Sequence, residues 1–305
     1  MVNEMMTRPA SITKAASRQT YYTIRFLVDR GRVDDAYRAY GYFRWVDDIL
    51  DANDGSTSER NAFLERQKTL LEKCYGGQTP RAVSGEEAML VELIRGDSEK
   101  DSGLQVYLRN MMRVMEFDAR RRGQLIGQAE LNDYTRWLAT AVIEAMHHFM
   151  GHGGQAPRDE TRYLAVYGAH LTHMLRDTFD DVQAGYYNVP REMLEANHIG
   201  PRDVGSDAYR AWVKSRVRLA RAYFAAGESY FARVPCGRFR LAGRAYTARF
   251  AWLLDTIERE GYCLRPGYSE RKSVGTGLRM SWLTLSSMLH GRGAGAWGLP
   301  VASQR

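Results

Sequence analysis

From Tyr21 onward the apolar residues recur three and four positions apart, as in "AYRAYGYFRWVDDIL", "NAFLERQKTLLEKCY", "GLQVYLRNMMRVMEFDARRR", "YTRWLATAVIEAMHHFMG" and "YLAVYGAHLTHMLRDTFDDV". That spacing draws one apolar stripe along a helix, whereas a half-buried strand needs strict alternation, which is absent. The breaks fall at "DANDGSTS", "GGQTPRAVSG", "GHGGQAPRDE", "QAGYYNVPRE" and "GYCLRPGYSERK", each rich in Gly, Pro, Ser, Asn or Asp. No internal repeat or long linker separates them. The pattern predicts an all-α, single-domain bundle of roughly eight to ten helices. It spans residues 16–285, between a flexible start at 1–15 and a flexible Gly-rich tail at 286–305.

With 305 residues, 44% of them hydrophobic, the chain can bury a sizeable core. The net charge of +7 is spread along the sequence with no run of five basic residues, so no nucleic-acid partner is expected, and a small anionic molecule fits the charge as well. Cys74, Cys236 and Cys263 form no metal-finger or CxxC pattern and are read as reduced thiols. The opening "MVNEMMTRPASITKAASRQ" has no apolar leader core, and no apolar run approaches the ~20 residues of a membrane span. The expected location is the cytoplasm. Oligomeric state is not legible.

Two acidic clusters stand out. In "FRWVDDILD" Asp47 and Asp51 are four apart, so both project from one helix face, with Asp48 beside them. In "LRDTFDDVQAG" Asp177 and Asp181 repeat the spacing, with Asp180 alongside. A lone pair of this kind is ordinarily a solvated face. Here both sit among apolar residues, Phe43, Val46 and Leu50 in one case and Met174, Leu175 and Phe179 in the other, where carboxylates are costly without a cation. Two such helices offer the oxygen donors that Mg2+ prefers. Arg44 and Arg176 add donors suited to phosphate oxygens.

These stretches resemble the squalene and phytoene synthases. "AYRAYGYFRWVDDILD" is similar to that family's "YAxxRxxDDxxD" helix, with Tyr40 at the motif tyrosine, and "HLTHMLRDTFDDVQAGYYNVPREML" to its second motif, "QLxNxLRDxxEDxxxGRxYLPxexL". "ELNDYTRWLATAVIEAMHHFMG" lies where the family has "ELxxYCxxVAGxVGxxxxxxxG", and the resemblance covers about residues 15–280. It implies an isoprenoid synthase helix bundle around a central active-site cavity, Mg2+ held by Asp47, Asp48, Asp51, Asp177 and Asp181, and an allylic prenyl diphosphate as substrate. Arg44, Arg176, His170, His173 and Tyr40 would then bind the diphosphate. Metal and arginines neutralise the charge that develops as diphosphate leaves. A dry aromatic lining, from among 18 tyrosines and 6 tryptophans, would protect the allylic cation.

The chain also departs from the family. Its "QxxN" is His170 and His173, its "GRxY" arginine and tyrosine are Tyr186 and Asn188, and two glycines of "AGxVG" are Thr140 and Ile143. Thr140, Ile143, Glu144 and His147 form one helical stripe. If that stripe faces the cavity, Glu144 or His147 can take a proton from a polar acceptor; if it turns between helices, they pair with an arginine instead. Tyr134 is either a proton shuttle or a core tyrosine, and His148 a packing or surface residue. His170, His173 and Asp177 are also spaced for a transition metal, although phosphate binding fits their place in the motif better.

The expected function is Mg2+-dependent transfer of a short prenyl group, dimethylallyl or geranyl, to a small polar, aromatic acceptor in specialised metabolism, as in a divergent branch acting on carbazole-type natural products. The alternative is head-to-head condensation of two farnesyl or geranylgeranyl diphosphates. A terpene cyclase and a non-catalytic assembly factor of the same fold are lesser readings. The lack of a Gly-rich nucleotide fingerprint decides nothing about NADPH.

Overall fold

The computed structural model describes residues 2–52, 56–151 and 154–268. Among these the chain is all-α, with no strand. The helices are α1 (Val2–Ala16), α2 (Arg18–Leu27), α3 (Val33–Asp51), α4 (Thr57–Tyr75), α5 (Glu87–Arg95), α6 (Gly103–Arg121), α7 (Gln128–Phe149), α8 (Leu164–Ala184), α9 (Arg191–Ala196), α10 (Asp207–Arg233) and α11 (Gly237–Arg259). Short 3-10 segments occupy Arg30–Arg32 and Glu160–Tyr163. All five sequence breaks coincide with helix ends, those of α3, α4, α7, α8 and α11.

The eleven α-helices described exceed the expected number because Ser17 divides the first stretch, its side chain accepting from the Thr20 N–H, and because α5 and α9 are too short to show a period. The start expected to be flexible is helical from residue 2 as α1. Thr13 is fully buried there, and Pro9 lies against Gly41 of α3, where an added Cβ would come within 3.5 Å of its Cα. The expected tail at 286–305 lies outside the described residues.

Two compact units make up the fold. The first comprises Met1–Gln155 and Thr178–Asp203, the second Ala156–Asp177 and Val204–Arg305. In the first, α3, α6 and α7 bury Tyr42, Val46, Leu108 and Ile143. Local polar signals set the helix starts: Ser56 and Glu59 form a capping box on α4, and Ser102 accepts from the Gln105 N–H at the head of α6. α6 packs on α7 closely enough that a Cβ on Gly103 would sit 2.8 Å from the Glu144 carbonyl oxygen.

A buried polar chain ties α3, α4 and α5 together. Tyr42 donates to Gln67 (3.0 Å), and Gln67 donates to Glu87 (2.9 Å). Arg66 donates to both Glu87 oxygens, at 2.6 and 2.7 Å, and the Ser84 N–H adds a further bond at 2.9 Å. With Arg66 the main cause, the Glu87 carboxyl falls from 4.5 to about 2. A depressed carboxylate stabilises the fold above the unfolded value, and that contribution disappears as pH falls through 4.5 towards 2. Glu87→Gln is expected to cost about 2 kcal/mol at neutral pH, after discounting for the exposed Arg66, and less than half of that near pH 3. Urea unfolding at the two pH values checks it; equal losses at both would refute the assignment.

In the second unit α10 and α11 enclose Val213, Val217, Tyr230, Phe231, Phe239, Phe250 and Leu254. Gly227 of α10 meets Ala165 of α8 almost backbone to backbone: an added Cβ would lie 2.5 Å from the Ala165 Cβ and 2.9 Å from its Cα. Gly227→Ala is therefore expected to lose about 2 kcal/mol despite alanine's better helix propensity. Its melting temperature checks this, and an unchanged or raised value would contradict so close a crossing.

Candidate active site

In the first unit α3 ends in the carboxylates Asp47, Asp48 and Asp51. Arg44, one turn back, donates to Asp47 at 3.1 Å and to Asp48. The arginine read as a diphosphate ligand thus closes on aspartates of its own helix. Burial is the main cause that pushes the Asp47 carboxyl up from 3.8 to about 6; Asp51, Asp118 and Asp48 add to it and Arg44 opposes it. Burial also raises the Tyr40 phenol, with Arg44 opposing and Asp47 and Asp48 adding.

Asp118 of α6 was not read from the sequence. It accepts from Arg121 Nε at 2.6 Å and from the Tyr134 hydroxyl of α7 at 2.8 Å. Desolvation raises its carboxyl against the pull of Arg121, and burial with Asp118 alongside holds the Tyr134 phenol well above its usual range. Tyr134 therefore keeps its proton and donates it in the hydrogen bond to Asp118. Arg121 is 7% exposed, and its guanidinium carbon lies 4.9 Å from the Tyr134 ring centre and 5.1 Å from that of Tyr186. Its Nη1 donates to Asn188 Oδ1 at 2.7 Å, and Asn188 Nδ2 donates to Asp181 Oδ2 at 2.7 Å. The turn carrying Tyr186 and Asn188 begins at Gly185, whose φ of 87° suits glycine. A legible signal existed: Leu108, Met112 and Met115 of α6 continue at spacing three to Asp118 and Arg121, where the stripe calls for apolar residues.

Elsewhere on α7, Ile143 is buried and Thr140, Glu144 and His147 are half-buried. His148 is buried against Arg32, with Nδ1 3.3 Å from the guanidinium.

In the second unit Arg176 holds its neighbour Asp177 with two donors, Nε at 2.5 Å and Nη2. His170 is buried, and the His173 ring stands edge-on to Phe250 at 4.7 Å. Among the described residues no three His, Cys, Asp or Glu side chains gather as a metal nest. The spacing of His170, His173 and Asp177 is thus not accompanied by such a cluster among the described residues, and the His173 ring packs on Phe250. For Mg2+ the donor chemistry fits. A half-buried carboxylate such as Asp47, whose proton affinity burial and the neighbouring carboxylates raise, is what a hard divalent cation would neutralise.

The match to a family of synthases makes this chain an enzyme transferring prenyl groups. The chain belongs to the squalene/phytoene synthase family, whose model matches residues 13–275. It is 25% identical over 259 residues to a presqualene diphosphate synthase of Zymomonas mobilis, covering 83% of this chain and 84% of that one. A chloroplastic phytoene synthase of Daucus carota is 23% identical over 299 residues, 94% of this chain and 71% of that one. The crystal structure of a squalene synthase from Alicyclobacillus acidocaldarius shares the fold at TM-score 0.69 and 21% identity, over 86% of this chain and 96% of that one. Among the described residues no helix is long and apolar enough to cross a membrane.

Proposed function

We propose that the enzyme couples two long allylic prenyl diphosphates, farnesyl or geranylgeranyl, head to head. The carrying observation is the alignment, over most of each chain, with relatives named for presqualene diphosphate and for phytoene. This reading takes precedence over the aromatic acceptor expected from the sequence. Asp47, Asp51, Asp177 and Asp181, with Asp48 beside them, would hold Mg2+, which when bound supplies Lewis-acid stabilisation of the leaving diphosphate. Arg44 and Arg176, closed here on Asp47, Asp48 and Asp177, would turn to the diphosphate oxygens with Tyr40, His170 and His173. The C–O bond breaks with its electron pair leaving on diphosphate. The double bond of the second chain attacks the allylic cation, and a proton is lost.

Transfer to a polar acceptor is the second reading. It is favoured by the half-buried Glu144 and His147, one turn apart on α7, which could take the acceptor's proton.

Mass spectrometry of products formed with Mg2+ and dimethylallyl, geranyl, farnesyl or geranylgeranyl diphosphate, without acceptor, separates the two. A C30 or C40 product, as diphosphate or hydrocarbon, is expected from a long substrate. Mg2+-dependent binding of a short diphosphate with no coupled product would overturn coupling in favour of an acceptor.

A further inference from the structure

We propose that Arg121 and Asn188 are positioning residues for Asp181, fixing the carboxylate that, on the reading above, receives Mg2+. The inference rests on that reading.

Hydrogen-bond chemistry leaves one way to orient the Asn188 amide. A guanidinium only donates, so the amide oxygen faces Arg121, at 2.7 Å, and the NH2 group faces Asp181 Oδ2, also at 2.7 Å. Arg121 and Asn188 are 7% and 8% exposed, so water does not readily take over either bond. Arg121 cannot swing away cheaply. Asp118 anchors its Nε at 2.6 Å, Tyr134 anchors Asp118, and the rings of Phe117, Tyr134 and Tyr186 surround the guanidinium at 5.7, 4.9 and 5.1 Å. A chain of donors thus runs from α6 through the turn after α8 and back to a carboxylate in the last turns of α8.

Tyr186 and Asn188 occupy the positions of the family's "GRxY" arginine and tyrosine, and a cation, Arg121, reaches this turn from α6. Groups that orient a metal-binding carboxylate change metal affinity by about 10- to 100-fold when removed.

The test titrates Mn2+ into the full-length protein carrying farnesyl thiodiphosphate and follows free Mn2+ by electron paramagnetic resonance. Asn188→Asp, which cannot donate to Asp181 and faces it with a like charge, is expected to weaken Mn2+ at least ~10-fold. At saturating Mg2+ the KM for farnesyl diphosphate should change little. Arg121→Lys, which keeps the charge but loses the fork, gives a second reading if Asn188→Asp does not fold, with an expected several-fold loss. Asp181→Asn separates the two levels. If Asp181→Asn weakens Mn2+ while Asn188→Asp and Arg121→Lys bind as wild type, the positioning role is overturned. Wild-type affinity in Asp181→Asn would overturn the metal reading of Asp181 and the inference with it.

Discussion

Asp47→Asn is expected to cut turnover at least ~10²-fold at saturating Mg2+ while leaving the protein slightly more stable. The two effects share one cause. Burial, with Asp51, Asp118 and Asp48 adding to it, raises the Asp47 carboxyl from 3.8 to about 6. Between those values the folded state holds more proton than the unfolded chain, so stability falls as pH rises through this window, and the penalty is complete above 6. A rise of that size corresponds to about 3 kcal/mol for a fully buried group. Because the side chain is 39% exposed, solvent screening brings the penalty to ~1 kcal/mol. Asparagine removes it, which should raise the melting temperature by about 2 °C at pH 7 and flatten its fall between pH 4 and 6. Steady-state kinetics and thermal unfolding across pH test both halves. A variant that retains near-wild-type turnover would remove Asp47 from the metal site.

Arg121→Met should be the most damaging single change to the fold, costing ~3–5 kcal/mol. Methionine fills most of the volume among Phe117, Tyr134 and Tyr186 but offers no donors. Asp118 keeps its bond from Tyr134 and loses its charge partner, and the Asn188 oxygen loses its donor. Most of the cost is the carboxylate left buried without a cation, not the bond strength itself. Asp118→Asn in the same chain should therefore recover a large part of the loss, a non-additivity that urea unfolding of the single and double variants can measure. A loss below ~1 kcal/mol for Arg121→Met would show that solvent or a neighbour replaces it.

The helical period carried most of the architecture. At each of the five Gly-, Pro-, Ser-, Asn- or Asp-rich breaks a helix ends, from Asp51 in α3 to Arg259 in α11, whereas Pro9 lies inside α1. α1 was hidden because its fit depends on Gly41 of α3, a tertiary contact that no local window contains. The spacing of Asp47 and Asp51 was legible for the opposite reason, since a single helix sets it. What Arg44 and Arg176 touch was not. Long side chains choose among rotamers according to the surrounding field, and here that field is the aspartates of their own helices. Asp118 is a lone carboxylate within an apolar stripe, so no acidic pair marks it, and its partner Tyr134 lies on another helix. Asn188, a departure from the family pattern in the sequence, bridges Arg121 and Asp181 in the fold.

The guanidinium of Arg121 against Tyr186 also limits which side chain position 186 can take. Tyr186→Arg would bring a second permanent cation towards the Arg121 guanidinium, whose carbon lies 5.1 Å from the Tyr186 ring centre, and is expected to be unfavourable while Arg121 remains. Losing Arg121 first strands Asp118. Neither single change is comfortable, so positions 121, 186 and 188 are expected to be energetically coupled in double-mutant cycles.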